Sequence, residues 1–509
     1  MPSTPRSFHP GAVLALVSGA QFMVILDLAI VNVALPSIQG DLAIDPSDLQ
    51  WVAITYGLAL GGFLLLGGRA ADLFGRRRVL VAGLALFAVA SLAAGLANSL
   101  AQLVVSRGVQ GVGAAMAAPA ALSIVTSTFP EGAARNKALG IFGAVGGMAA
   151  SIGVIAGGLL TDGPGWEWVF LINVPIGAAL VTMILAFVPA TRPASRTSAD
   201  VAGAVSVTAG LLAIVYAINR SVDYGWTSSR TVGLLVGGVA MLGVFVAVES
   251  RAASPLVPLA VFRRRIFTAA NVVSALLWGA FFAMIFQGTL FMQQALGYSA
   301  VNTGAAWLAS TLSSLVIAAA IAPAFVGRFG SSTSLVVGQT ILGVGLLYLT
   351  RAPGDAAYWT DLFPGFLAFG VGIGFSMMAV QAAAFTGVDH TVAGVAGGMI
   401  ETSREVGGAL GVAVVATLAI ARTDTVLAGG SSPAAALTAG FQRGSLVAAL
   451  IAFGAAVAAG VLLRRAERFA VRLPDSRAAA TQRVLAGGEP GLGDVRNVPS
   501  VAAVGDHDG

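Results

Sequence analysis

Five charged side chains fall inside long apolar runs of this 509-residue sequence: Asp27, Arg107 and the group Glu401, Arg404 and Glu405. A charge at bilayer depth costs roughly 2.5–3.5 kcal/mol on insertion scales, so each of them needs a partner or a function. A carboxylate such as Asp27, flanked by Ile25, Leu26 and Leu28, can take or release a proton as its access to solvent changes. Arg107, expected at a comparable depth, can pair with it or compete for that proton. Glu401, Arg404 and Glu405 share one helical face by their spacing of three and four residues. Either acid paired with Arg404 makes a neutral unit, and the other is left over as a second proton-site candidate. The bland alternatives are an acid solvated near the outer end of its span, an arginine that bonds helix backbones (a task Gln110 could share), and a purely structural acid–arginine trio.

Other chemistries are excluded. There is no cysteine, so disulfides, iron–sulfur clusters and thiolate zinc sites are ruled out. His9, His390 and His507 lie far apart and no HExxH occurs, which argues against an intramembrane metalloprotease. The single lysine, Lys137, follows Asn136, so no phosphate-cradling Gly-Lys-Ser/Thr loop exists to harness ATP. No enzymatic activity, cofactor or metal is expected. Nucleic-acid binding has no support, because the net charge of +5 comes from arginines whose placement reads as topology.

The elements that must position these groups are membrane spans. Apolar residues make up 57% of the chain and charged ones 10%, with a mean hydropathy of +0.87; a globular surface cannot be covered from that composition. Apolar segments fall near 11–35, 51–70, 79–98, 101–124, 137–160, 167–189, 201–218, 231–249, 268–293, 303–325, 334–350, 361–386, 392–421 and 440–463. The first run continues through Val33 without a cleavage exit, so no signal peptide is read. The 65 glycines suit close helix packing in a bilayer. An even span count places both termini on one side. With the N-terminus inside, the inner segments before the tail hold fourteen Arg and Lys residues and the outer loops five, and seven more follow Leu463, so both termini are expected in the cytoplasm. Arg464 to Leu473 reads as a helix lying on the inner leaflet, and the chain after Pro474 as disordered.

The loop between the second and third segments reads Gly67-Gly68-Arg69-Ala70-Ala71-Asp72-Leu73-Phe74-Gly75-Arg76-Arg77-Arg78. A short turn with glycines at both ends and an acid opposite several arginines can clamp helix ends by charge-assisted hydrogen bonds and release them when the helices move. Plain positive-inside anchoring would explain the arginines, but not Asp72 with Gly68 and Gly75 at this spacing.

This loop resembles the signature of the major facilitator superfamily. Leu26-Asp27 through Leu35-Pro36 resembles the first-helix motif of the fourteen-span drug:proton antiporters, and Arg107-Gly108-Val109-Gln110-Gly111 their fourth-helix motif. Trp166 to Gly177 resembles the start of their sixth helix, and Ser254-Pro255 through Arg265 the cytoplasmic segment after their two extra helices. Two positions depart from the pattern: Val154 follows Gly153 where the antiporter motif usually has proline, with Gly157 and Gly158 retained, and Glu167 stands where arginine is common. Gly327-Arg328-Phe329-Gly330 resembles a decayed second copy of the loop. Arg404 before Gly407-Gly408 matches a family pattern, whereas Glu401 matches none.

The resemblance implies an all-α membrane protein with the major facilitator fold: two six-helix bundles plus two inserted helices, fourteen spans in all. The expected domains are 1–190, 191–265 for the inserted pair and linker, 266–463, and a tail from 464 to 509. It implies proton coupling or cation recognition for Asp27, a coupling role for Arg107, a cytoplasmic gate at Gly68, Asp72, Gly75, Arg76 and Arg77, and an antiporter motif at Gly153, Gly157 and Gly158. For the substrate wall, the ninth segment offers Trp278, Phe281, Phe282, Met284, Phe286, Gln287, Phe291 and Gln294, with Met377 and Gln381 from the twelfth and Gln110 from the fourth. Aromatic rings, methionine and amides suit bulky amphiphiles, although many such aromatics face lipid. The expectation is a monomeric exporter in the cytoplasmic membrane that exchanges protons for a bulky hydrophobic drug or antibiotic. A dedicated exporter of a native metabolite (a self-made antibiotic, a lipid or a siderophore) and a non-transporting scaffold or sensor are the alternatives.

Overall fold

The computed structural model describes residues 9–130, 133–190, 201–252, 255, 259–386 and 393–464. Among them are fourteen helices long and apolar enough to cross a membrane, so the chain is a multi-pass membrane protein. In chain order they are α1 (Pro10–Asp41), α2 (Pro46–Phe74), α3 (Arg76–Gly95), α4 (Leu100–Thr128), α5 (Ala133–Asp162), α6 (Trp168–Phe187), α7 (Val201–Tyr224), α8 (Ser229–Arg251), α9 (Arg265–Ala295), α10 (Ala300–Phe329), α11 (Ser331–Leu349), α12 (Tyr358–Phe385), α13 (Ala393–Ala428) and α14 (Pro433–Leu463). The described residues contain no strand. The expected inner-leaflet helix after Arg464, the disordered tail and most of the segment from Ser254 to Pro258 lie outside the described residues.

Helix starts follow local chemistry. Ser99, Ser228, Ser299 and Ser432 each accept a hydrogen bond from the backbone N–H three residues on, and prolines open α1, α2 and α14, where a missing N–H costs nothing. Several helices outrun their apolar segments. The first span, expected to end near residue 35, continues through Pro36 to Asp41. An apolar run marks bilayer contact, whereas a helix persists as long as its backbone groups bond most cheaply within it, and proline is tolerated in membrane helices. The extension moves Asp27 from the expected outer half to near the middle, seventeen residues after Pro10 and fourteen before Asp41.

Helices α1–α6 and α9–α14 form two bundles with the same internal packing. The pairs α1–α5, α2–α4, α3–α4 and α3–α6 recur as α9–α13, α10–α12, α11–α12 and α11–α14, as parallel repeats require. The bundles meet along α2–α13 and α5–α10, which are equivalent pairs under that repeat. Of the inserted helices, α7 packs on α2 and α13, and α8 packs on α7.

The two half-equivalent loops are built alike. Helix α2 passes into α3 through Gly75 alone (φ 96°), and α10 into α11 through Gly330 alone (φ 82°). A side chain is strained at such a φ, so the Gly327–Gly330 segment is a structural counterpart of the first loop.

Candidate functional site

Asp27, on α1, is fully buried and accepts three hydrogen bonds. Arg107 Nη1 donates to its Oδ2 at 2.5 Å. Gln110 Nε2 and Asn173 Nδ2 donate to its Oδ1 at 2.9 and 3.0 Å. Arg107 and Gln110 come from adjacent turns of α4, and Asn173 from α6. Arg107 is itself 1% exposed; its Nε donates to the Val52 carbonyl on α2 at 3.0 Å, its Nη1 also reaches Gln110 Oε1 at 2.9 Å, and its guanidinium lies 4.4 Å from the Tyr56 ring centroid. Gln110 Nε2 completes its bonding to Ser91 Oγ on α3 at 2.7 Å. The carboxylate is therefore neutralised by one cation and wrapped by amides, the arrangement that buried ions require.

Sequence reasoning brought Asp27 and Arg107 together by depth but missed three members of this cluster. Asn173 lay within the sixth-helix motif, and a polar side chain there was the available signal. Ser91 and Tyr56 gave none, since neutral polar residues do not announce their partners. Gln110, expected at the substrate wall, is fully buried within the carboxylate cluster instead.

The second group lies on α13. Arg404 Nη1 meets Glu401 Oε2 at 2.5 Å, and its Nη2 and Nε meet Glu405 Oε1 at 2.8 and 3.0 Å. The arginine thus engages both acids at once rather than one. Arg404 also lies 5.5 Å from the Trp278 ring centroid. Glu405 is buried against α2, where a Cβ at Gly61 would fall 2.8 Å from Glu405 Cβ and one at Gly57 3.2 Å from its Oε2. Thr402 Oγ1 donates to the Gly61 carbonyl at 3.1 Å. Glycines on α2 thereby let a charged helix of the other bundle approach closely.

Between the two clusters is a cavity of about 30 Å³ lined by Leu28, Asn32, Gly57, Arg107, Phe282 and Glu405, among others. One water needs about 10–15 Å³ of such space, whereas drug-sized sites run to about 300–1,000 Å³. In this conformation the cavity has room for a water or two and is far smaller than a drug. Of the expected wall residues, Phe282 lines the cavity. Trp278 and Phe281 pack on Phe282, and Phe281 stacks on Phe369. Met284, Phe286, Gln287 and Phe291 are buried, with Phe291 stacked on Phe441 at 4.0 Å; these aromatics neither face lipid nor border the cavity. Gln294 bonds Gln39 Oε1 at 2.6 Å, at the ends of α9 and α1. Gln381 and Met377 are exposed near the last turns of α12.

At the α2–α3 loop, the expected acid–arginine clamp takes a different form. Arg76 Nη1 donates to the Ser123 carbonyl of α4 at 3.3 Å, which also accepts from Thr126 Oγ1, and Arg77 Nη2 donates to the Leu185 carbonyl at 2.7 Å, in the last turn of α6, where carbonyls are unpaired. Asp72 is half-buried and forms no ion pair with any described residue. Close approach falls to Gly67, whose Cβ would lie 2.7 Å from the Ala115 carbonyl carbon, while one at Gly68 would meet Pro119 at an ordinary 3.6 Å. Of the antiporter-motif glycines, Gly153 and Gly157 seat α5 on α1 beside Asp27, and Gly158 seats it on α10. Glu167 opens α6 without capping it, and nothing in the structure explains an acid there.

Residues 17–412 match the family model described as Major Facilitator Superfamily. The chain is 39% identical to the puromycin resistance protein pur8 of Streptomyces alboniger, covering 88% of this chain and 90% of that one. It is 36% identical to the cephamycin export protein CmcT of Amycolatopsis lactamdurans, over 82% and 86%, and 32% identical to the multidrug resistance protein Stp of Mycobacterium tuberculosis, over 80% and 75%. Among solved structures, the POT family transporter PepTSo superposes with a TM-score of 0.65 at 14% identity over 91% of this chain and 99% of that one, a likeness of fold alone. With fourteen spans, two repeated bundles and these relatives, the chain belongs to the major facilitator superfamily, in its fourteen-span drug-efflux branch.

Proposed function

We propose that the protein exports a bulky hydrophobic drug or antibiotic across the cytoplasmic membrane in exchange for protons, by alternating access between its two bundles. The observation that carries this reading is the pair of buried carboxylates, Asp27 and Glu405, on opposite bundles, with Glu405 and the Arg107 that holds Asp27 bordering one small cavity. A transporter driven by protons needs a carboxylate that changes partner when helices move. Asp27 is held by an arginine of another helix that also bonds the Val52 carbonyl on α2, and Glu405 by the arginine beside it on α13, which also lies against Trp278 on α9. Asp27 is the leading proton-coupling residue and Arg107 its competitor. Glu405, with Glu401 and Arg404, forms the second site. The proton gradient drives the cycle without a cofactor. The cavity must widen by separation of α2 from α13 before a substrate enters, with Phe282 and Trp278 as its first aromatic wall.

The arginine-rich face is cytoplasmic in this reading, as the fourteen-to-five distribution of basic residues supports. Arg76 and Arg77 brace α4 and α6 there, and Gly75 is the pivot. A second reading, a dedicated exporter of one antibiotic, is favoured by the relatives named for puromycin and cephamycin.

Growth inhibition by a panel of dyes, quaternary ammonium compounds and antibiotics in an efflux-deficient host separates these readings. Vector, wild type and Asp27→Asn are compared at matched expression. Protection by wild type that disappears in Asp27→Asn is the expected result, and protection confined to one antibiotic class selects the dedicated exporter. Equal protection by both proteins removes Asp27 from the coupling role.

A further inference from the structure

Asp162 is the last residue of α5, and a carboxylate at a helix C-terminus opposes that helix's own dipole. Its partners lie on the other bundle. The backbone N–H of Ala300 donates to one carboxylate oxygen at 3.2 Å and that of Val301 to the other at 3.0 Å. These are the first two N–H groups of α10, which have no acceptor within their own helix. The third, on Asn302, bonds Ser299 Oγ at 3.2 Å, and the fourth, on Thr303, bonds the Ser299 carbonyl at 3.0 Å. Helix α10 caps itself in part, and an acid from the opposite bundle completes the cap. The charge that is misplaced for α5 is well placed for α10.

Glycines make the approach close enough. Gly158 lies one turn before Asp162 on the same face, and a Cβ there would fall 2.6 Å from Val301 Cα and 2.7 Å from the Ala300 carbonyl oxygen. From the other side, a Cβ at Gly304 would fall 2.6 Å from the Val154 carbonyl oxygen. At this face Gln293 Nε2 also donates to the Val33 carbonyl at 2.8 Å and Gln294 bonds Gln39, but those ties are neutral. Among the described residues, Asp162 supplies the charged bonds between the bundles at the face opposite the arginine-rich loops. They break if α5 and α10 part there, and Asp162 is exposed, so water can take over its bonds.

We propose that Asp162 is a positioning residue of the transport cycle. As a cross-bundle cap on α10 it holds the face opposite the arginine-rich loops shut, and its release accompanies opening of that face. The inference rests on the alternating-access reading above for what the opening serves.

The absence of cysteine from the sequence makes the test direct. Leu96 and Arg351, exposed just past the ends of α3 and α11 at this face, are replaced by cysteine, spin-labelled, and their separation measured by pulsed dipolar spectroscopy in reconstituted full-length protein. The wild-type background gives mainly the short separation. Asp162→Ala adds a longer one and moves the open-to-closed ratio about tenfold, equivalent to about 1.4 kcal/mol. Asp162→Asn, which keeps an acceptor without the charge, lies between, and Asp162→Glu restores the short separation. A merely structural role would lower thermal stability without lengthening the distance. Identical distributions in wild type and Asp162→Ala, or in Asp162→Asn should the alanine variant not fold, overturn the proposal. The measurement uses neither substrate nor a proton gradient, so failure of wild type to protect cells would count against the export reading and leave this result standing.

Discussion

Removing the Arg107 side chain as Arg107→Ala strips Asp27 of its one cation while leaving it fully buried with two amide donors, Gln110 and Asn173. It also deletes the bond to the Val52 carbonyl and the contact with the Tyr56 ring. Breaking a buried ion pair by deleting one partner costs about 3–5 kcal/mol, because the remaining charge is uncompensated. At about 2–4 °C per kcal/mol for a bundle-sized unit, the melting temperature should fall on the order of 10 °C. The double variant Asp27→Asn/Arg107→Ala leaves no buried charge at the site, so it should recover more than half of that loss. Neither variant should protect cells against drug. Stability and transport are thus predicted to separate, and scanning fluorimetry in detergent reads the first while growth assays read the second. A single variant within about 1 kcal/mol of wild type would refute the reasoning, as would a double variant no more stable than the single one.

Two further outcomes follow from close helix approach and from the turn. Gly411→Val should separate α13 from α9, because a Cβ at Gly411 would run into the backbone of Gly279. Overpacking of this kind costs about 1–3 kcal/mol, visible as a lower melting temperature, whereas Gly233→Ala on α8, with open space around it, should change little. Gly75→Ala forces a side chain into φ 96° at about 1–3 kcal/mol, and trypsin should then cut the α2–α3 loop faster than in wild type.

The number of spans was legible because each apolar run is long enough to demand a bilayer, and their ends were not, because helices outlast the runs, as α1 does beyond Pro36. The Asp27–Arg107 pair could be anticipated from depth and charge sign. Asn173, Ser91 and Tyr56 could not, because a neutral polar residue becomes informative only when its partner is known. The substrate wall was the least legible part. Phe286, Met284 and Phe291 have the same composition and spacing whether they line a cavity or fill a core, and burial alone decides between the two. Asp162 reads in sequence as an ordinary acid at a span end, and its significance lies in the helix that begins 138 residues later.

The central claim, that protons drive export through Asp27, is tested most directly in proteoliposomes. A pH-sensitive dye inside the vesicles reports proton movement when a substrate identified by the growth panel is added outside. Wild type should release protons on substrate addition, and Asp27→Asn, folded and inserted to the same extent, should not. Substrate-dependent proton release of equal size from both proteins would contradict the account.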